Sequence, residues 1–199
     1  MPLLTAVNTV HKTRKAASSG GNYLNPSSIE ADEATRFTLL GDESCAGYEC
    51  WVTAPDGKRK ALKFSEEPTR EDLEQRAVDE DITLKGDEKP KPFYAFFIWN
   101  YNENAVQVFQ FSQQGLIDPI IQNLSDEEIS AEPWAYDFKA TTNGLSGLDK
   151  RYVVTCVPGK RRNKQVNDQV QAAWNEVQSK GCCLSNLLVN GDPFKDAPF

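Results

Sequence analysis

Aromatic and basic residues stand side by side at several places in this sequence, and together they have the chemistry to hold a single strand of nucleic acid. Trp51 precedes a run of four cations by a few residues, and Trp99 lies where two apolar segments meet. Lys and Arg neutralise phosphates, while aromatic rings stack on bases with little regard for base identity. The predicted nucleic-acid contacts are Tyr48, Trp51, Lys58, Arg59, Lys60, Lys63, Trp99, Tyr101, Lys139, Arg151, Lys160, Arg161 and Arg162.

The formal net charge of −7 is unusual for a protein that binds phosphates. The acids are concentrated, however, because residues 65–88 contain ten acidic and three basic residues and therefore have a charge of −7 on their own. The rest of the chain is neutral on balance and has basic clusters at 12–15, 58–63 and 150–164. Local clusters decide whether a surface attracts phosphates, so the composition does not exclude a nucleic-acid partner.

The same aromatic residues could instead belong to the core. Side chains alternate along a strand, so Tyr48 and Trp51 are expected on opposite faces unless a bulge intervenes. Tyr152 shares a face with apolar residues of its own strand, which indicates a core position. For Trp51, Trp99 and Tyr101, stacking on a base and burial in the core both remain open.

Enzymatic chemistry is not indicated. The sequence contains no phosphate-binding loop, no nucleophile elbow, no His-Glu-x-x-His motif and no dinucleotide fingerprint, and His11 is its only histidine. The five cysteines form no Cys-x-x-Cys pair, so we expect reduced thiols, no metal and no cofactor. An alternative is a magnesium-dependent nuclease that uses acids such as Asp79 and Asp81.

The elements that must position these residues centre on the most apolar stretch, residues 93–111. Two aromatic and β-branched runs flank polar residues 100–104, which is typical of a β-hairpin. Apolar spacing predicts a short helix over 112–124 despite Pro119, then strands over 136–142 and 151–157. Before the hairpin we expect strands over 35–41, 47–53 and 58–64 and a helix after Thr69, and near the end a helix over 165–179.

Strands, one short helix and more strands are the order of a small Greek-key barrel of the oligonucleotide-binding (OB) class. We therefore predict a mainly β fold with α additions, an OB-like Greek-key β-barrel with a short helix between strands and a C-terminal helix. The expected domains are a flexible basic N-terminal arm at 1–30, the barrel at 31–160 with an acidic insertion at 65–91, a helical segment at 161–189 and a tail at 190–199. No apolar run is long enough to span a bilayer and no secretion signal is recognisable, so we expect a cytoplasmic protein.

The order of several short motifs resembles that of a family of phage-encoded proteins similar to single-stranded DNA-binding proteins. The matching stretches lie at 20–24, 36–41, 47–51, 96–101, 106–108, 136–138 and 144–152, with Gln113 and Ile117 in the intervening helix. The resemblance covers residues 20–157 and implies an OB-like fold that coats single-stranded DNA during phage replication and recombination, in the host cytoplasm. It does not imply which residues touch DNA.

The last residues, Asp192-Pro-Phe-Lys-Asp-Ala-Pro-Phe199, resemble the ends of bacterial single-stranded DNA-binding proteins, which finish in acids followed by Pro-Phe. There the terminal Phe enters an apolar pocket on a partner while its carboxylate meets a basic residue. The resemblance implies that Asp196, Pro198 and Phe199 bind replication or recombination proteins. Lys195 and the scarcity of acids depart from the pattern, and the alternative is a tail that ends in Phe by chance.

Two functions of different classes remain after this reading. The first is a non-enzymatic single-stranded DNA-binding protein with no membrane partner, and a homo-oligomer is compatible with this function. The second is an OB-like protein–protein module that offers the acidic segment or the 165–179 helix to a replication complex without strong DNA binding. A continuous positive groove across the barrel would favour the first function, and its absence would favour the second.

Overall fold

The computed structural model describes residues 21–145, 147–159 and 163–196. Several sequence predictions therefore fall outside the described residues. These are most of the N-terminal arm, the basic residues Lys160, Arg161 and Arg162, and the last tail residues Pro198 and Phe199.

Within the described residues, seven strands form one mixed sheet. They are β1 (Tyr23–Leu24), β2 (Thr35–Thr53), β3 (Arg59–Phe64), β4 (Lys91–Asn100), β5 (Ala105–Phe111), β6 (Tyr136–Thr142) and β7 (Tyr152–Pro158). The α-helices are α1 (Arg70–Asp79), α2 (Gln114–Leu124), α3 (Glu127–Ala131) and α4 (Lys164–Ser179). Short 3₁₀ turns lie at Pro26–Ser28, Pro133–Ala135, Gly147–Asp149 and Leu184–Val189. The predicted central hairpin, the helix after it and the C-terminal helix are confirmed.

The strand order is β1-β5-β4-β2-β6-β7, and β3 also pairs with β2. Strand β1 is parallel to β5, while the other pairs are antiparallel. Strand β2 is the centre, because β4 occupies one of its edges and β6 and β3 share the other. The predicted β-rich class with added helices is confirmed. In the described part of the chain the sheet ends at β7 and does not close into a barrel.

Two predicted strands, 35–41 and 47–53, are joined in the single long strand β2. The join is a bulge, since the pairing with β4 shifts between Leu39 and Ser44. Gly41 makes the bulge possible with a φ of 65°, a conformation that costs glycine little. The glycine also admits a neighbour: a Cβ there would lie 2.8 Å from Cζ2 of Trp174 in α4.

The inner face of the sheet forms the main core. Phe37 stacks on Phe138 with 5.5 Å between ring centroids and meets Phe109 edge-on at 5.2 Å. Helix α2 covers this face with Leu116 and Ile120, which are fully buried. Their spacing places them on one side of the helix, as the sequence pattern predicts.

The outer face of β4 is covered by α4 and the segment that follows it. Phe97 packs against Trp174 at 5.3 Å and against Phe194 at 5.5 Å between ring centroids. Residues 192–196 are held by the Asn186 side-chain amide, which donates to the carbonyl oxygens of Asp192, Lys195 and Asp196 at 2.9, 3.0 and 3.2 Å. The described part of the tail therefore packs on the protein itself.

The acidic segment packs on the back of the β2–β3 hairpin. Helix α1 begins at Thr69 with a capping box to Asp72, so the predicted helix start is confirmed. Its apolar residues form a third cluster with the even-numbered side chains of the hairpin; the cluster comprises Cys50, Val52, Leu62, Leu73, Ala77 and Ile82. The acidic insertion thus lies on the opposite side of the hairpin from Trp51, because neighbouring side chains of a strand point to opposite faces.

Candidate nucleic-acid interface

Trp51 on β2 presents a fixed aromatic surface to solvent. Trp51 is 47% exposed. The indole Nε1–H donates to Glu49 Oε1 at 3.0 Å, and the Arg59 guanidinium carbon lies 5.2 Å from the ring centroid. A hydrogen bond at the edge and a cation against the ring together hold the indole in one orientation while leaving much of it accessible.

Glu49 supports Trp51 from inside the sheet. This residue is only 4% exposed, yet its carboxylate accepts three hydrogen bonds. Besides the indole, Ser112 Oγ donates to Oε1 at 2.6 Å and Gln110 Nε2 donates to Oε2 at 2.9 Å. A buried carboxylate is tolerable when its lone pairs are satisfied in this way, and the network fixes β2 against the end of β5.

Lys63 on β3 extends this network. Its ammonium donates to Gln110 Oε1 at 2.9 Å and lies 5.4 Å from the ring centroid of Phe93. Burial lowers the pKa of Lys63, and the charge of Glu49 partly opposes that shift. The lysine is therefore partly desolvated and positioned by neighbours, unlike an amine on a solvated loop.

A cleft of 290 Å³ opens beside Trp51, and we refer to it as the Trp51 cleft. Its lining is rich in amide, hydroxyl and carboxylate groups, and Trp51 and Arg59 stand at its rim. The lining residues are Asn25, Pro26, Glu49, Trp51, Arg59, Gln110, Phe111, Ser112 and Gln113. The volume is near the lower end of small-ligand sites, about 300 Å³, and suits one planar polar group.

The loop between β6 and β7 approaches the same cleft. The Tyr152 hydroxyl donates to the carbonyl of Pro26 at 3.2 Å, and Pro26 lines the cleft. The Lys150 ammonium lies 4.9 Å from the Tyr152 ring centroid. Lys150 belongs to a predicted basic cluster but not to the predicted contact residues, and it is a neighbour of Tyr152 rather than a lining residue of the cleft.

The structure brings together three of the predicted contacts, Trp51, Arg59 and Lys63. They occupy one face of the β2–β3 hairpin, in which Trp51 is opposite Ala61. Tyr48 and Lys60 lie on the other face, and Lys60 forms an ion pair with Glu80 there. The predicted separation of Tyr48 from Trp51 is confirmed, because the bulge of β2 lies before both residues.

The other predicted contacts lie elsewhere. Trp99 is 2% exposed beneath α4 and offers no face to a strand in this structure. The Tyr101 hydroxyl donates to Asp137 Oδ1 at 2.9 Å, and its ring lies 4.6 Å from the Arg36 guanidinium carbon. Three more predicted nucleic-acid contacts are on the surface away from the hairpin face: Lys58 pairs with Asp56 in the β2–β3 turn, and Lys139 and Arg151 are exposed on and beside β6–β7. Asp196, a predicted contact for a partner protein, lies against Gly181 after α4.

Sequence reasoning missed the buried Glu49 of the cleft and its half-buried partners Gln110 and Ser112. A usable signal exists, since Glu49 is the only charged residue of the predicted strand 47–53 and Gln110 is flanked by two phenylalanines. Such a residue needs a partner when buried. Their meeting, however, depends on the relative register of β2, β4 and β5, which composition does not reveal.

In the part of the chain that the structure describes, no group of three or more His, Cys, Asp and Glu side chains is arranged to hold a metal ion. The helices among these residues are all too short or too polar to cross a membrane. Comparison with known proteins gives no match, because no family model fits the chain and no curated protein or solved structure is similar to it at a significant level.

Proposed function

We propose that this protein binds single-stranded DNA without catalysing a reaction on it, and that the Trp51 cleft receives one of the bases. The observation that carries the proposal is the Trp51 indole, half exposed and fixed between Glu49 and Arg59 at the mouth of a polar cleft. Because the ring is already oriented, a base can stack on it without the entropy loss of ordering a mobile side chain. Arg59, Lys63 and Lys150 supply positive charge for the phosphates.

The topology supports this proposal. Five strands, β2, β4, β5, β6 and β7, follow one another with α2 between the third and fourth, and β2 pairs with both β4 and β6. A partly open five-stranded Greek-key barrel of the OB class has this organisation, and it binds oligonucleotides with strands 2–3 and the loops between strands 1–2 and 4–5. The equivalent elements here are β4–β5, the β2–β4 connection and the β6–β7 connection. Two of them meet at the Trp51 cleft, because β5 supplies Gln110 and the β2–β4 connection supplies Arg59.

A single strand fits the site better than a duplex. Bases in a duplex are stacked on each other, so an aromatic ring reaches a base face only when the base is unstacked. Stacking also discriminates little among bases, which suits a protein that coats a strand irrespective of sequence. The proposed role, coating single-stranded DNA during phage replication or recombination, follows from the resemblance of the sequence motifs.

The direct test is titration of a fluorescently labelled oligodeoxythymidylate with the wild-type protein and with Trp51→Ala, at low and moderate salt. We expect saturable binding that weakens with salt, and an affinity loss of about 1–3 kcal/mol in the variant, which is the range for one lost base stack. Trp51→Phe retains a ring and should lose less. Equal affinities for wild type and Trp51→Ala would remove the cleft from the binding site, and no binding by the wild type would overturn the function.

A second function, an OB-like protein–protein module, has one observation in its favour. The outer face of β4–β5, with which OB proteins hold oligonucleotides, is covered by α4 and by Leu184, Leu187 and Phe194 of this same chain. In this alternative the Trp51 cleft receives a side chain of a partner protein, and DNA affinity is negligible. The titration at low salt separates the two functions.

A further inference from the structure

Glu49 is the one acidic residue among the described residues that line the Trp51 cleft. It is almost fully buried, whereas Trp51 and Arg59 at the rim are exposed. A ligand can therefore meet the Glu49 carboxylate only from inside the cleft. Any group that enters must be compatible with a deep negative charge, and this requirement selects among ligands.

The two oxygens of the Glu49 carboxylate are used unequally by the protein. Oε1 accepts from the Trp51 indole at 3.0 Å and from Ser112 Oγ at 2.6 Å. Oε2 accepts from Gln110 Nε2 at 2.9 Å. Each carboxylate oxygen has about two lone-pair sites, so Oε1 is saturated and Oε2 keeps one. The cleft thus offers a ligand one acceptor, whose direction is already fixed by three hydrogen bonds.

The other polar groups of the cleft chiefly offer donors. The Arg59 guanidinium has five N–H donors and no acceptor. Asn25 and Gln113 contribute amides whose oxygens already accept hydrogen bonds, from the Ser27 backbone N–H at 2.9 Å and from the Ser112 backbone N–H at 3.2 Å. A deep acceptor with donors around it is therefore the hydrogen-bonding pattern that a ligand must complement.

Cytosine complements this pattern. Its edge has the N4 amino donor beside the N3 and O2 acceptors, and carboxylates accept hydrogen bonds from that amino group when proteins read bases. Thymine has the acceptor O4 in place of the amino group, and its one edge donor, N3–H, lies between two carbonyl oxygens that a carboxylate repels. The small volume of the cleft, 290 Å³, also favours a pyrimidine, the smaller kind of base.

We propose that Glu49 makes the Trp51 cleft selective for a base with an amino group at this edge, so that cytosine is preferred to thymine. The amino group donates to Glu49 Oε2 while the ring stacks on Trp51, and Arg59 at the rim meets the phosphate. This inference rests on the proposed function, which requires only stacking and positive charge. Because one base of a longer bound stretch is read, a strand of any sequence can be coated, and the preference sets the register of the protein on it.

The test isolates the amino group on the DNA. The full chain is titrated with two strands of about 16 nucleotides, oligodeoxycytidylate and its 2-pyrimidinone analogue, in which hydrogen replaces the cytosine amino group. Mildly alkaline buffer keeps the cytosine strand unpaired. We expect the analogue to bind about threefold or more weakly, which corresponds to one lost hydrogen bond. Equal affinities overturn the inference and leave the proposed function standing, whereas no binding of either strand or of oligodeoxythymidylate overturns both.

A matched pair of variants tests whether Glu49 is the residue that reads the base. Glu49→Gln keeps an oxygen for Trp51 and Ser112 and puts an amide N–H₂ in place of Oε2, so it should donate to thymine O4. We expect the ratio of affinities for oligodeoxycytidylate and oligodeoxythymidylate to fall about threefold or more. Glu66→Gln makes the same change of charge at an exposed position outside the cleft and should leave the ratio unchanged.

An unchanged ratio in Glu49→Gln, or an equal fall in Glu66→Gln, overturns the inference. The comparison of the cytosine and 2-pyrimidinone strands uses the wild-type protein alone, so it decides the question even if Glu49→Gln does not fold.

Discussion

Trp51 and Trp99 lie on the same face of one sheet, yet their surroundings differ completely. The pairing of β2 with β4 sets their common face, since Cys45 lies opposite Ala95 and Gly47 opposite Phe93. Trp99 is covered by α4, and its indole N–H has no hydrogen-bond partner among the residues that the structure describes. Trp51 lies beyond this cover, and its N–H is bonded to Glu49. The position of a side chain along the sheet, rather than its face, therefore decides whether a tryptophan serves stability or is available to a ligand.

The two regions are also held together differently. The covered region consists of apolar contacts between β4, α4 and the C-terminal segment, which stabilise by removing apolar surface from water. The region around Trp51 is held by hydrogen bonds and a buried carboxylate. Substitutions in the covered region should therefore change the free energy of unfolding, and substitutions around Trp51 should chiefly change binding.

The largest effect is expected in the covered region. Phe97→Ala removes a fully buried ring that contacts both Trp174 and Phe194. We expect the free energy of unfolding to fall by about 3–5 kcal/mol, as is typical when a buried Phe is truncated. Urea denaturation measures it, with Trp51→Ala as the control, which should stay within about 1 kcal/mol of wild type. Equal losses in the two variants would erase the contrast between the regions.

A smaller effect is expected at the polar support of Trp51. Glu49→Leu leaves the donors of Trp51, Gln110 and Ser112 without their acceptor in a partly buried site. The unfolding free energy should fall by about 0.5–1.5 kcal/mol, the net value of a typical hydrogen bond, because the donors are only partly buried, and DNA affinity should fall with it. Glu49→Gln keeps an acceptor oxygen and serves as the milder comparison. Unchanged DNA affinity in Glu49→Leu would show that the orientation of Trp51 does not matter for binding.

The two faces of the β2–β3 hairpin can be compared through salt dependence. Arg59 shares a face with Trp51, whereas Lys60 points away and pairs with Glu80. Arg59→Ala should reduce the log–log slope of affinity against salt by about 0.7, the value for one lost phosphate contact on a single strand. Lys60→Ala should leave the slope unchanged. The reverse pattern would place the strand on the α1 side of the hairpin.

The smallest effect concerns pH. Burial lowers the pKa of Lys63 below its ordinary value of 10.5, so charging this amine costs the folded state more than the unfolded chain. That cost is present below the folded-state pKa and disappears as pH rises from there through 10.5. The stability of the wild type relative to Lys63→Met should therefore rise with pH in that window. Stability curves for the two proteins that stay parallel across it would argue that Lys63 is solvated.

Much of the fold follows from local patterns in the sequence. The hairpin of β4 and β5, the apolar stripe of α2 and the alternation in β6 and β7 each reflect interactions between near neighbours, and each is predicted within a few residues. The bulge of β2 is not predicted, because the sequence pattern makes Gly41 the end of a strand. A glycine permits either outcome, and the docking of Trp174 from far along the chain selects the bulge.

The candidate site is predictable only in part, for a related reason. Alternation within the hairpin suffices to place Trp51, Arg59 and Lys63 on one face. The burial of Trp99 depends on α4, which docks on β4 from more than 60 residues away in sequence. The carboxylate network likewise joins residues of β2, β3 and β5, whose meeting depends on the register of the whole sheet.

The place of β2 at the centre of the sheet has a consequence for the newly made chain. Its first residues, Thr35 to Phe37, pair with Phe138 to Ala140, which are made long after β2 itself is complete. At about 5–20 residues per second, translation from Thr53 to Thr142 takes roughly 4–18 s. For that time the start of β2 is an unpaired edge that another nascent chain can join. The speed of the ribosome, as well as the stability of the finished protein, therefore bears on how much of it escapes aggregation.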